Sequence, residues 1–284
     1  MSDSGAALAA PRPPRIPARV ARGATLGAGR LAGVAAQMGV QIAVGTLAGP
    51  AGIGTLQIHV AWSTLLGEVI GAGEPTRAMR DTAVNGPRSV RANMARASRR
   101  ILGFATLPAL AIAALYLSGR ADDLGIAMTM LLSIVVAAPL FALGRLFAET
   151  LKSLSRTLTA VTLENTVLPI TLLLTCAAAA LGLLALDQSA ILAGAVTGVF
   201  LCALLLGWSL RGNLASGDAD DTASATSTGA AEQLHFWLTG LLNIAFLQLP
   251  FLLLPWLAGA DDVGRYAVAH KLVNIITTLL ILIA

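Results

Sequence analysis

"LAGPAGIGTL" occupies residues 47–56, and "LAGADDVGRY", residues 257–266, repeats its outline 210 positions later. Each copy joins two long apolar runs, 24–46 to 53–70 in the first case and 234–258 to 265–284 in the second. A bilayer's hydrocarbon layer is ~30 Å thick, so a helical crossing takes roughly 17–25 mostly apolar residues. The phrase therefore reads as a short turn between two membrane helices, written twice.

Outward from these hairpins, four more runs lie at 101–118, 124–147, 159–186 and 190–210, giving eight candidate spans. The composition agrees, with 56% hydrophobic and 12% charged residues and a mean hydropathy of +0.77. That is more apolar surface than a soluble core of this length hides. Backbone groups in lipid must be satisfied within their own segment, and runs this uniform lack the alternation of barrel strands. The expected fold is all-α, a polytopic membrane helix bundle.

A pI near 9.7 does not point to nucleic acid here, because the basic residues follow topology. Arg12, Arg15, Arg19 and Arg22 precede span one; Arg77, Arg80, Arg88, Arg91, Arg96, Arg99 and Arg100 lie between spans two and three; Lys152 and Arg156 follow span four and Arg211 follows span six. The alternate loops carry Asp122, Asp123, Asp187, Asp261 and Asp262 against Arg120 and Arg265. Positive charge stays inside, which puts the N-terminus in the cytosol and agrees with all eight spans. No small-residue cleavage site follows an apolar run near the N-terminus, so residues 1–23 read as a basic cytosolic tail.

The small, polar segment 212–233 reads as a flexible cytosolic linker. It separates a six-helix lobe, 24–211, from the first two helices of a second lobe, 234–284. Spans one and seven leave the cytosol in the same direction. The repeat is therefore parallel, about an axis along the membrane normal, one of the symmetries of secondary transporters.

Polar residues support that reading. Positions i, i+4, i+7 and i+11 of an α-helix fall within a band of roughly 40°. Span two places Gln57, Ala61, Thr64 and Glu68 there, and the same offset of 210 gives Ala267, Lys271, Asn274 and Thr278 in span eight. Span one adds Arg30, Gln37 and Gln41, and span five adds Glu164, Thr171 and Thr175. A charge facing lipid at mid-helix costs roughly 2.5–3.5 kcal/mol on insertion scales, so such stripes are expected to face protein or a wet passage between the lobes.

The outer-hairpin pattern, "GAGEPTRAMR" at 71–80, "LKSLSRTLTAVTLENTVLP" at 151–169 and "DDVGRYAVAHKLVNII" at 261–276 resemble bacterial polysaccharide exporters. These are the lipid-linked oligosaccharide flippases of the multidrug/oligosaccharidyl-lipid/polysaccharide superfamily. The resemblance covers almost the whole chain through diffuse patterns. It implies two six-helix lobes around a central cavity, so that at least four further spans would complete the second lobe. It also implies a multi-pass protein of the bacterial inner membrane that moves a polyprenyl-diphosphate-linked glycan by alternating access, without cofactor or metal. Expected partners are that anionic substrate, membrane lipids, and a polysaccharide polymerase or glycosyltransferases; nucleic acid is not among them.

Arg30, Gln37, Gln41, Gln57, Thr64, Lys271 and Asn274 are the candidate headgroup-binding residues, Arg30 and Lys271 supplying the cations. Arg30 has an alternative as a snorkelling arginine. Glu68 and Glu164 are candidates for ion coupling, with structural pairing to Arg145 or Lys152 as the alternative. His59 is expected to be packed and hydrogen-bonded, and Cys176 and Cys202 to be packing residues. "GAGRLAG" at 27–33 follows no strand, so a dinucleotide loop is rejected. A multidrug extrusion antiporter is the rival within the superfamily. A polyprenyl-lipid glycosyltransferase is the rival outside it, but the outer loops are short and neither HExxH nor GxSxG occurs. The chain is expected not to be an enzyme.

Overall fold

The computed structural model describes residues 18–118, 128–215 and 229–283. Every regular element among them is helical: α1 (Ala18–Gly71), α2 (Glu74–Asn85), a 3-10 turn (Pro87–Ser89), α3 (Val90–Leu117), α4 (Met128–Ser153), α5 (Thr157–Ala180), α6 (Gln188–Ala215), α7 (Ala230–Leu257) and α8 (Ala260–Ile283). Among the described residues six helices are long and apolar enough to cross a membrane, namely α1 from Gly27, α3, α4, α5, α6 and α7. The expected first two spans are both in α1. The expected eighth falls on α8, whose last turns, from residue 277 on, lie outside the described side chains.

A straight α1 could not fit. The 45 residues of its apolar portion would extend about 68 Å at 1.5 Å per residue, over twice the hydrocarbon thickness. Its backbone breaks at Gly49 (φ 71°, ψ −175°), followed by Pro50. Glycine takes that left-handed φ without the Cβ clash other residues meet, and proline cannot donate the next helical bond. Helix directions follow from packing. Gly29, Gly33 and Gly39 meet Thr162, Asn165 and Leu173, so the first arm runs parallel to α5. In the second arm, Trp62 and Leu66 pack with Met130 and Ile134, and Gly67 meets Phe141, so that arm runs parallel to α4. Gly144 meets Ala203 and Gly207 meets Phe147, making α4 parallel to α6, whereas Gly194 and Gly198 meet Thr175 and Thr171, making α5 antiparallel to α6. The two arms of α1 therefore run in opposite directions, as a hairpin bent in the middle of the first quoted phrase.

The repeated phrases also meet. A Cβ at Gly54 would strike the carbonyl of Ala260, and one at Gly264 would strike the carbonyl of Pro50. Gly264 is the counterpart of Gly54 under the offset of 210, and Ala260 that of Pro50. The contact is thus reciprocal: each copy brings a glycine onto the other copy's carbonyl. Ile53 and Val263, also counterparts, share one buried cluster with Val44, Leu172 and Phe251. A second cluster, around Ile101, Leu146, Leu151 and Leu206, fills the opposite end of the bundle.

Several boundaries differ from the sequence reading. Helix α1 starts at Ala18, inside the stretch expected as tail, and α6 and α7 extend to Ala215 and back to Ala230 at the two ends of the expected linker. Residues 1–17, 119–127 and 216–228 lie outside the described residues. The arginine-rich segment 77–100 between the expected spans two and three is α2, the 3-10 turn and the start of α3. Proline in the first turn of α2 and Gly86 (φ 77°) after its last residue punctuate it. The side chain of Asp187 caps α6 by accepting from the Ala190 amide and the Ser189 hydroxyl, both at 2.8 Å. Those bonds, the Ala190 amide first, hold its carboxyl below the ordinary aspartate pKa.

Candidate functional site

The candidate residues fall into two polar groups. The first lines a cavity of about 230 Å³ between α1, α4, α5 and α6, with Ile244 of α7 on its wall. Thr64 and Glu68 enter it from α1, Phe141 and Arg145 from α4, Glu164 and Leu168 from α5, and Val199 and Cys202 from α6. Glu68 is only 6% exposed and accepts from the Arg145 guanidinium. Glu164 pairs with Lys152 at 3.0 Å, and Lys152 also reaches Glu149 at 3.0 Å. Both proposed coupling carboxylates therefore line one cavity, and each pairs with one of the two cations that the structural alternative offered. The cluster of Glu68, Glu149, Glu164, Arg145 and Lys152 carries three acids against two bases. Missing from the sequence candidates were Arg145 as a cavity-lining residue and Glu149; their signal was the spacing i, i+4, i+7 of Arg145, Glu149 and Lys152 on α4.

The second group lies where α8 crosses the first arm of α1. Lys271 donates to the side-chain oxygen of Gln37. One turn further along α1, Gln41 is buried and its Nε2 has no hydrogen-bond partner. Among the described residues no carboxylate is paired with Lys271. The donors here outnumber the acceptors.

The expected single ladder is thus divided. Gln37, Gln41 and Lys271 come together, while Thr64 joins Glu68 and Glu164 in the cavity. Gln57 does not line the cavity, and Arg30 and Asn274 are exposed. Thr171 and Thr175 do not continue the Glu164 stripe into the cavity; they donate to Val167 and Thr171 carbonyls of their own helix and lie against the glycines of α6. Helix rotation, set by those small-residue contacts, turns the lower half of that stripe towards α6.

His59 is fully buried, with Nδ1 3.0 Å from the Ser133 hydroxyl, the packed, hydrogen-bonded arrangement expected of it. Cys176 is buried and Cys202 half-buried, both free thiols, and the Cys202 thiol donates to the Leu163 carbonyl at 3.5 Å. Among the described residues no three His, Cys, Asp or Glu side chains converge as metal ligands would.

In comparisons with known proteins, the chain matches no family model, no curated protein and no solved structure. The fold itself defines the class: this is an all-helical, multi-pass membrane protein.

Proposed function

We propose that the chain is a membrane transporter that flips a polyprenyl-diphosphate-linked oligosaccharide for cell-surface polysaccharide synthesis, and not an enzyme. The observation that carries the proposal is the pairing of Lys271 with an amide oxygen of Gln37 rather than with a carboxylate. Desolvating an ammonium costs several kcal/mol unless an anion compensates it. A site with a spare cation and the spare amide donor of Gln41 is built for an anionic group that arrives with the substrate, and phosphate oxygens suit such donors. The reciprocal contact of the two quoted phrases supports a parallel repeat, with α7 and α8 as the start of a second lobe. The bacterial inner membrane, a cytoplasmic N-terminus and partnership with polymerase or glycosyltransferases are part of this reading.

The antiporter reading is favoured by one observation, the two carboxylates on the cavity wall. Their pairing with Arg145 and Lys152 leaves less charge for a cationic substrate, which ranks it second.

Proteoliposomes containing the full chain and a fluorescent polyprenyl-diphosphate sugar test the proposal. Lys271→Gln is expected to lower flipping about tenfold, the loss of one charge-assisted contact, while Glu164→Gln leaves cation export absent as in the parent. Cation extrusion that depends on Glu164 and ignores Lys271 would replace this reading with the antiporter, and sugar transfer by the chain alone would replace it with an enzyme.

A further inference from the structure

At the α2 end of the bundle a polar network ties α7 to the corner between α1 and α2. Glu74, 3% exposed, accepts from Arg100 at 2.6 Å and from Gln233 Nε2 at 3.0 Å. Gln233 also donates to the Ala72 carbonyl at 3.2 Å, and its side-chain oxygen accepts from Arg77 at 3.4 Å. Outside this pair, Glu232 accepts from Arg80. Two consecutive residues of α7 are thus held by the corner.

The held end and the cavity share one face of α7. Gln233, Trp237, Gly240 and Ile244 follow the i, i+4, i+7, i+11 spacing. Gly73 (φ 76°) lies against the backbone of Gln233 and Trp237, Gly240 rests on the Glu68 carboxylate, and Ile244 forms cavity wall. The buried indole nitrogen of Trp237 has no acceptor, so the seam is not saturated with bonds. Its polar bonds are concentrated at one end, at Glu232 and Gln233, while Phe251 and Leu252 anchor the other end of α7 in the buried cluster.

We propose that Gln233 and Glu232 on α7, with Glu74 and Arg80 on α2, form a lock that closes the cavity of Glu68, Arg145 and Glu164. With the lock made, α7 covers the cavity; with it broken, α7 lifts and the cavity opens to water. The device concerns access alone and holds whatever the occupant is, so it stands or falls separately from the transport reading.

Cys202 lines the cavity and is a native reporter. The experiment uses the full chain with Cys176→Ala, purified in detergent, and follows reaction of Cys202 with a water-soluble maleimide. Gln233→Ala and Arg80→Glu are each expected to speed labelling about tenfold, the shift produced by losing a bond to a charged group. Adding Glu232→Arg to Arg80→Glu restores the pairing with opposite polarity and returns the rate to that of the parent. A companion chain with Cys202→Ala reports on Cys176, buried away from the cavity, and its labelling is expected to stay slow. Unchanged Cys202 labelling in both variants, failure of the charge swap to restore it, or an equal rise at Cys176 would each overturn the lock.

Discussion

Gly264 of α8 lies directly against the carbonyl of Pro50 in the bend of α1. Its counterpart Gly54 stands in the same relation to Ala260. No side chain fits at either place, so the docking of the two quoted phrases depends on glycine. Gly54→Leu or Gly264→Leu is expected to cost about 1–3 kcal/mol by overpacking, measured as a fall in the melting temperature of the detergent-solubilised protein. Equal stability in both variants and the parent would mean that the two phrases do not meet.

Lys271 offers a separation of stability from function. Its ammonium is half-buried against Gln37 with no carboxylate partner among the described residues. Replacing a costly buried charge by an apolar side chain of similar length is often neutral or stabilising by about 1–4 kcal/mol. Lys271→Met is therefore expected to hold or raise the melting temperature while lowering flipping at least about tenfold. A protein both less stable and fully active would contradict the anion-site reading.

The Glu68–Arg145 pair behaves in the opposite way. Arg145→Met leaves a buried carboxylate without its cation, a loss of about 3–5 kcal/mol for a fully buried pair. The arginine side chain is 32% exposed, so the lower end of that range is expected. Glu68→Gln added to Arg145→Met removes the orphaned charge and recovers at least half of the loss. Chemical unfolding of the three variants measures this, and strictly additive losses would show that the two side chains do not interact.

Asp187 gives α6 an acid-sensitive cap. Its folded pKa lies below the ordinary value, so its contribution is fully present above the unfolded aspartate pKa of about 3.9 and fades as pH falls through the lower folded value. The parent is expected to melt above Asp187→Asn near neutrality, and that difference to shrink as pH is lowered through the folded pKa. Parallel profiles would remove the cap from the account.

Much of the interior was legible one helix at a time. The spacing along α1 placed Thr64 and Glu68 on one face, and both line the cavity. The same stripe includes Ala61, which is fully buried in the cluster with Val40 and Val263, and Gln57, which lies outside the cavity. The stripe was real, but a band of roughly 40° spans several neighbours, and which neighbour each residue meets is set by packing. The charge of the basic segment 77–100 by itself suggests a solvated face; α2 instead buries Glu74, Arg77 and Asp81 by pairing them with one another and with Arg100.

Sequence alone determined the membrane environment, the helical class and the phase of the polar stripes, because these depend on local composition and on the fixed 3.6-residue period. Only tertiary structure decided that the two quoted phrases touch, that Glu68 meets Arg145, and that Lys271 meets Gln37 rather than an acid. Those pairings link residues from 77 to 234 positions apart. They depend on how each helix is rotated and which way the arms of α1 run after Gly49, quantities fixed by the summed packing of the whole bundle.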